Sequence, residues 1–426
     1  MKVIQVIYYW PAILALLSND VSGQQGECRL LTARYVFDGT ELHDGHSVLI
    51  FGDTIAAVAP TGALSVPAGC TERNFPEGTL LPGMIEGHAH LLLHPYNETG
   101  WNEQVLSESY AERAIRGAQH ATATLRAGFT TVRDLGSEGA GYVDVGLKQT
   151  IEKGVIPGPR LLVAGKAIVA TGSYGPKGFR EGVEVPLGAE EADGRDELIR
   201  VVRDQIGHGA DVVKVYADYR WGPNGEARPT FTQEELNLIV EVAGSSGRPV
   251  VAHASTAEAM RRATLAGVAT IEHGDEGTPE VFELMAERGV ALCPTLAAGD
   301  AITQYRGWKK GVDPEPARIV AKRQSFSAAL EAGVTIVAGG DVGVFPHGDN
   351  VRELELMVDY GMEPLAVLRT VTSGNADVLG QAERVGRIEP GRLADLVVVK
   401  GNPTQDISQL RAVPWVMLGG TEIDLE

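Results

Sequence analysis

The feature that most constrains the fold is a regular alternation of short apolar runs and helical segments from residue 82 to about residue 380. Segments such as TQEELNLIVEVAGSSG begin with acidic residues and end near glycine, as helices do. Eight β-rich runs alternate with such segments: MIEGHAH, TTVRDLG, RLLVAGKAI, DVVKVYADY, PVVAHAS, TIEHGDE, VALCPTL and TIVAGGDVG. This alternation predicts an α/β fold, a (β/α)8 TIM barrel over residues 82–381.

The two ends of the chain have a different pattern. Residues 26–81 contain short alternating runs separated by turn signals, and residues 382–426 repeat this pattern. We therefore expect both ends to pair in one composite β-sandwich beside the barrel. With 426 residues, the chain is long enough for a large barrel and such a satellite domain.

The first 25 residues resemble a secretory signal peptide. They contain an early lysine and an apolar stretch from Val3 to Leu17, which is short and interrupted by proline for a membrane span. This predicts a secreted or periplasmic protein without a membrane span in its mature form, and a cytoplasmic one if the segment is not a signal peptide. In an oxidising compartment Cys28 and Cys70 can form a disulfide, although the sequence is equally compatible with two reduced cysteines.

Histidines stand at the ends of several predicted strands. His88 and His90 are two residues apart, so their side chains share one face of a strand. His253, His273 and Asp341 end three further strands, and the carboxyl ends of barrel strands surround one site. Neutral imidazole and carboxylate are ligands for zinc or a similar divalent ion. One His-x-His pair is as often structural as metal-binding, but five converging groups predict a metal site.

Lys214 lies in the middle of the apolar run DVVKVYADY. Because a charged amine is costly to bury, this lysine is expected to be paired, neutralised or chemically altered. One interpretation is an ion pair with a nearby carboxylate. The other is carboxylation by carbon dioxide, which produces a group that can bridge two metal ions.

These residues together resemble a known family. The segments ARYVFDGT, LLPGMIEGHAH and IEPGRLADLVVV extend the resemblance over nearly the whole chain. The chain is similar to the binuclear branch of the amidohydrolase superfamily, which includes imidazolonepropionase-like proteins, Xaa-Pro dipeptidases and ochratoxin-hydrolysing amidohydrolases. The similarity implies two divalent metal ions, expected to be Zn²⁺, and an N6-carboxylated lysine, held by His88, His90, Lys214, His253, His273 and Asp341.

The resemblance also implies roles for these groups. His88, His90 and Asp341 would hold the more buried ion, and His253 and His273 the more exposed one. Asp341 would be catalytic, accepting the proton of the attacking hydroxide and passing it to the departing nitrogen. The implied reaction is hydrolysis of a peptide-like amide bond in an Xaa-Pro or other dipeptide, or in an N-acyl amino acid. The alternatives are an imidazolonepropionase-type cyclic amide hydrolase, a mononuclear deaminase and, more distantly, a non-catalytic ligand-binding barrel.

Substrate contacts are predicted in loops that follow the strands. Tyr216 or Tyr219 could hydrogen-bond the oxyanion and Arg220 could bind a terminal carboxylate, although each is equally compatible with packing or a solvated loop. His347 is expected to contact substrate, and the role of His94 is left open. The Gly-rich segment ATGSYGPKG is expected near the entrance.

The charge of the chain bears on its partners. A formal net charge of −19 would repel phosphate backbones, which argues against a nucleic-acid partner. The expected partner is a small-molecule amide or dipeptide substrate. The sequence does not decide whether the chain forms a homo-oligomer.

Overall fold

The computed structural model of the chain describes residues 26–426. The predicted signal peptide, residues 1–25, therefore lies outside the described residues. Five strands open the described part: β1 (Cys28–Phe37), β2 (Leu42–Asp44), β3 (His46–Phe51), β4 (Thr54–Pro60) and β5 (Thr71–Pro82).

Parallel strands follow in the central part of the chain. They are β6 (Met84–Ala89), β7 (Phe129–Asp134), β8 (Arg160–Val163), β9 (Ile168–Val169), β10 (Glu190–Glu191), β11 (Val213–Tyr216), β14 (Val250–Thr256), β15 (Thr270–Glu276) and β16 (Ala291–Cys293). Strands β6, β7 and β8 are neighbours in one sheet, and β10, β9, β11, β14, β15 and β16 in another. Between β11 and β14, the strands β12 (Asp218–Arg220) and β13 (Ala227–Pro229) form an antiparallel hairpin.

The eighth predicted strand, TIVAGGDVG, does not form a regular strand. Two isolated parallel bridges stand in its place, Leu292 with Ile336 and Ala89 with Val342. The reason lies between the bridges. A Cβ on Gly339 would come within 2.6 Å of the His88 nitrogen, and Asp341 has a left-handed φ of 62°, so the ladder is interrupted there.

Helices connect the strands and cover them. The bounds are α1 (Trp101–Ser107), α2 (Tyr110–Arg126), α3 (Val143–Glu152), α4 (Gly194–Gly207), α5 (Gln233–Gly244), α6 (Ala257–Ala266), α7 (Pro279–Arg288), α8 (Leu296–Tyr305), α9 (Ala317–Glu331), α10 (Val351–Asp359), α11 (Pro364–Arg369) and α12 (Asn375–Val378). A π-helical turn spans Thr370–Gly374 and a 3₁₀ turn spans Ile407–Arg411. Strands followed by helices in this order give a TIM-barrel-like α/β fold, as the sequence predicts.

Local sequence explains where α5 and α6 begin and end. Thr232 caps α5 by accepting a hydrogen bond from the Glu235 amide, and the Glu235 side chain accepts one from the Thr232 amide. Thr256 caps α6 by accepting a hydrogen bond from the Ala259 amide, and Gly267 ends this helix in the left-handed conformation. Both helices thus fall where the acidic first turn and the final glycine place them.

The two ends of the chain share one sheet and one core. The last strands are β17 (Leu396–Lys400), β18 (Trp415–Leu418) and β19 (Thr421–Glu422). Strand β17 pairs antiparallel with β5, which pairs parallel with β1. A common apolar cluster joins buried side chains of both ends, including Leu31, Val48, Ile50, Leu80, Leu396, Val398 and Met417. The division of this sheet into two sandwich layers stays a prediction.

The described part of the chain contains one disulfide and one free cysteine. Cys28 and Cys70 are joined by a disulfide that ties the start of β1 to the turn before β5. Cys293 is a buried free thiol at the end of β16. Across residues 26–426, no helix combines the length and apolar character that crossing a membrane would require.

Candidate metal centre

The first group of predicted ligands converges at the carboxyl end of β6. Nε2 of His88 lies 3.7 Å from Oδ1 of Asp341, and Nε2 of His90 lies 3.4 Å from the same oxygen. The two imidazole centroids are 5.4 Å apart. The alternation of β6 thus turns both rings toward the residue that follows the interrupted eighth strand.

The second group lies on neighbouring strands. His253 on β14 and His273 on β15 have ring centroids 4.4 Å apart, and the ring of His273 is 5.3 Å from that of His88. Ligand atoms of His88, His273 and Asp341 lie within 4.8 Å of one another. The fold therefore brings together four imidazoles and a carboxylate that are spread along the chain from residue 88 to residue 341.

The histidines are oriented by their Nδ1 atoms. Nδ1 of His88 donates to Oε2 of Glu272 at 2.7 Å, and Nδ1 of His90 donates to the Gly136 carbonyl at 2.9 Å. Nδ1 of His273 lies 2.7 Å from Oγ1 of Thr295. These partners leave Nε2 as the free nitrogen of each ring, which is how outer partners orient metal-binding histidines.

The site fits a divalent metal ion. Nε2 of His88 is buried, and within the described part of the chain it has no hydrogen-bond partner. Burial lowers the pKa of His88 and His273, and it lowers that of His253 to about 3, so the rings are neutral at neutral pH. A buried neutral imidazole with an unpartnered nitrogen, beside a carboxylate, is a suitable donor set for zinc.

Lys214 on β11 faces the imidazoles rather than the helical layer. Its side chain is buried, and its charge lowers the pKa of His88 and His253. Its Nζ lies 5.7 Å from the ring centre of Tyr216, which stacks on His253. Among residues 26–426, no carboxylate lies within 4.0 Å of this nitrogen, so the ion-pair interpretation lacks a partner. Desolvation lowers the pKa of the amine.

A cavity of about 930 Å³ opens over these residues. Tyr216, Tyr219 and Arg220 are among its lining residues, and their predicted contacts with substrate stay predictions. Arg220 is exposed, and the hairpin of β12 and β13 holds it at the rim. The Gly-rich segment contributes Tyr174 to the lining, but this side chain is buried rather than at an open entrance.

The predicted substrate contact at His347 stays a prediction, and the structure places this residue outside the cavity lining. Its ring stacks on His120 of α2 at 4.1 Å, and Nε2 donates to the Leu93 carbonyl at 2.9 Å. The loop after the eighth strand folds back against α2, which draws the ring away. His94 is also bound elsewhere, with Nε2 2.6 Å from Oε1 of Glu108.

Two acidic residues of the site are absent from the sequence prediction. Glu272 is buried between His88 and Arg133, whose Nη2 donates to Oε1 at 3.1 Å. Glu138 lines the cavity behind His90, with Oε1 3.9 Å from Nδ1 of that ring. Glu272 directly precedes His273, but its partners are far away in sequence. Glu138 lies in the segment LGSEGAG directly after β7, and this position at the end of a barrel strand could have identified it as a site residue.

The chain matches known proteins over most of its length. Residues 79–422 match the family described as Amidohydrolase family. Ochratoxinase of Aspergillus niger is 30% identical over 90% of this chain and 83% of its own, and imidazolonepropionase of Porphyromonas gingivalis is 24% identical over 84% and 82%. A crystal structure of a Xaa-Pro dipeptidase with bound methionine has a TM-score of 0.81 and 32% identity, covering 93% of this chain and all of that one. The chain belongs to the amidohydrolase family.

Proposed function

We propose that this protein is a metal-dependent hydrolase that cleaves a peptide-like amide bond in a dipeptide, such as Xaa-Pro, or in an N-acyl amino acid. The observation that carries the proposal is the buried, unpartnered Nε2 of His88 within a cluster of neutral imidazoles and Asp341. The similarity to ochratoxinase and to a Xaa-Pro dipeptidase supports amide chemistry.

The proposed cofactors are two divalent ions, in our proposal Zn²⁺. His88, His90 and Asp341 would hold one ion and His253 and His273 the other, with an N6-carboxylated Lys214 between them. When bound, such ions polarise a carbonyl group and favour ionisation of water. The lowered pKa of Lys214 supports the modification, because carbon dioxide reacts with a neutral amine.

Asp341 is proposed to move the proton that the reaction requires. Burial raises the pKa of its carboxyl group above the usual value, which makes the group a better proton acceptor near neutral pH. Its Oδ1 faces both His88 and His90, so the carboxylate is held at the centre of the cluster. From there Asp341 can pass the proton to the departing nitrogen, which would otherwise leave as an unstable amide anion.

The cavity wall is proposed to orient the substrate. Arg220 has no ion-pair partner within the described residues, and its guanidinium can bind a terminal carboxylate in two-point fashion. The hydroxyl of Tyr216 already donates to Glu138 at 3.3 Å, so Tyr219 is the freer donor for an oxyanion.

Metal counting and kinetics together test the proposal. We expect the purified protein to contain two ions per chain and to hydrolyse dipeptides or N-acyl amino acids, with activity lost on chelation and restored by zinc. Lys214→Met should lose at least one ion and most of the activity, whereas Lys153→Met, at an exposed lysine, should retain both. Full activity of Lys214→Met in metal-free buffer would contradict the proposal.

The rival functions predict different results. An imidazolonepropionase-type enzyme or a mononuclear deaminase needs one ion per chain and has no use for a buried lysine on β11. A non-catalytic barrel would bind metal but hydrolyse neither substrate series. A content of two ions per chain, together with hydrolysis of dipeptides or N-acyl amino acids, would therefore exclude the imidazolonepropionase-type enzyme, the deaminase and the non-catalytic barrel.

Location and partners are proposed on separate grounds. The disulfide between Cys28 and Cys70 supports export to an oxidising compartment, in agreement with a signal peptide in residues 1–25. The charge of −19 supports a small-molecule partner rather than nucleic acid. Mass spectrometry of the secreted protein tests export, since a start near residue 26 is expected.

A further inference from the structure

Glu138 is an unusual residue of the cavity wall. Its side chain is buried although it lines the cavity, and its backbone has a left-handed φ of 47°. Such a conformation is unfavourable for a residue with a Cβ and persists where surrounding contacts enforce it. Strained positions of this kind cluster at ligand-binding and active sites.

Three aromatic residues hold the Glu138 carboxylate. Oε2 accepts hydrogen bonds from Nε1 of Trp101 at 2.8 Å and from the hydroxyl of Tyr174 at 2.7 Å. Oε1 accepts one from the hydroxyl of Tyr216 at 3.3 Å. All three donors are neutral, so they satisfy the oxygens without neutralising the negative charge.

No protein cation compensates this charge directly. Within residues 26–426, no lysine or arginine nitrogen lies within 4.0 Å of the Glu138 carboxylate. Arg113 donates instead to the Glu138 carbonyl at 3.2 Å. His90 lies 3.9 Å away, but its Nδ1 is committed to the Gly136 carbonyl. A buried carboxylate that faces a cavity without a cation is a site for a positively charged ligand group.

The aromatic rings around Glu138 add to this preference. Tyr174 contacts Trp101 at 5.2 Å, Tyr216 at 4.7 Å and Tyr219 at 4.7 Å between centroids, and all four rings line the cavity. Aromatic faces attract ammonium groups through their quadrupoles. A carboxylate within such a cluster has the chemistry of an ammonium site.

We infer that Glu138 and the rings of Trp101, Tyr174 and Tyr216 bind the α-ammonium group of the substrate, so that the enzyme prefers dipeptides with a free amino terminus to N-acyl amino acids. This inference rests on the proposed amide hydrolysis and narrows its substrate class. It makes Glu138 a substrate-binding residue rather than a metal ligand.

The position of Glu138 suits this role. Its carboxylate lies at the Nδ1 edge of His90, whereas Nε2 of the same ring faces Asp341 in the candidate metal centre. In a dipeptide the α-nitrogen and the scissile carbonyl carbon share one Cα and are about 2.5 Å apart. A substrate carbonyl beside the histidines would therefore place its ammonium group next to Glu138.

Matched substrates test the inference. The probes are an L-alanyl-L-amino acid series and the same series with an N-acetyl group, which share the scissile bond and differ in the charge. We expect kcat/KM of the metal-loaded protein to be at least about 30-fold higher for the free amines. This factor corresponds to the smallest cost usually found when one member of a buried charge pair loses its partner. In Glu138→Gln this ratio should fall toward one, with metal content retained. Glu112→Gln, on the exposed face of α2, should keep the ratio.

The outcomes separate the two proposals. Equal or better hydrolysis of the acetylated series retains amide hydrolysis but overturns the role of Glu138. An unchanged ratio in Glu138→Gln, with both rates lowered together, also overturns it, because a structural role affects both series alike. Hydrolysis of neither series by the wild-type protein with two bound ions contradicts the proposed function itself.

Discussion

Replacing Glu272 by glutamine perturbs the candidate metal centre without touching an atom that would bind the ion. The two carboxylate oxygens have different donors: Oε2 accepts from Nδ1 of His88 at 2.7 Å, and Oε1 accepts from Nη2 of Arg133 at 3.1 Å. Glutamine offers one oxygen and one NH₂ group. If the NH₂ group faces His88, the ring proton is driven to Nε2, the atom that would bind metal. If it faces Arg133, a buried guanidinium loses its carboxylate.

Either orientation is costly, and the cost can be bounded. Loss of an outer partner of a metal-binding histidine weakens metal affinity about 10–100-fold, or about 1.4–2.7 kcal/mol. Breaking the buried pair with Arg133 destabilises the fold by about 3 kcal/mol. Zinc competition with a chromophoric chelator measures the dissociation constant, and urea unfolding of the metal-free protein measures the stability.

Glu86→Gln is the matched control for this variant. Glu86 is also buried, but its Oε1 accepts from the backbone nitrogen of His88 rather than from the ring. Burial raises its pKa to about 7, so glutamine resembles the protonated form that is already populated at neutral pH. A zinc dissociation constant in folded Glu272→Gln that stays within twofold of wild type would refute the reasoning, as would equal weakening in both variants.

Three further predictions concern His253, the disulfide and Thr295. Burial lowers the pKa of His253 to about 3, so at this residue the unfolded chain binds more protons below about pH 6.5. In urea unfolding of the metal-free protein, wild type should lose about 2 kcal/mol more between pH 7 and pH 5 than His253→Asn, and an equal pH dependence of the two would contradict this. The disulfide closes a loop of about 42 residues, so the double variant Cys28→Ser, Cys70→Ser should lose about 4 kcal/mol of stability in the same assay. If the two cysteines were reduced in the wild-type protein, the double substitution would not cause this loss. Thr295→Val removes the partner of Nδ1 of His273 and should weaken zinc binding about tenfold, whereas unchanged binding would show that this contact does not orient the ring.

Local patterns made much of the fold predictable. The capping threonines of α5 and α6 directly precede these helices, and seven of the eight predicted apolar runs coincide with parallel strands. The clustering of His88, His90, His253, His273 and Asp341 follows from one rule, that carboxyl ends of barrel strands meet at one rim. That rule requires only the position of each residue in its own strand. The identity of the bound ions still rests on our proposal.

Contacts between distant segments were not predictable in the same way. Glu272 binds His88 across 184 positions, and Glu138 binds Tyr216 across 78. No periodicity within either segment specifies these partners. For His347, the position after the last predicted strand indicated the cavity, whereas the ring stacks on His120 of α2 and does not line the cavity. Side-chain packing between elements, which the pattern of a single element does not contain, set all three outcomes.

Backbone strain connects the candidate metal centre with the proposed ammonium site. Among the described residues, the non-glycine positions with positive φ are Glu138, His273, Thr295 and Asp341, and all four line the cavity. Each such conformation costs about 1–3 kcal/mol and persists only where the surroundings enforce it. The enforcing contacts come from the protein itself: the Asp341 amide donates to the His88 carbonyl at 2.8 Å, and Lys322 donates to the His273 carbonyl at 2.6 Å. The fold therefore maintains the geometry of this site by its own hydrogen bonds, so that binding of ions or substrate does not have to create it.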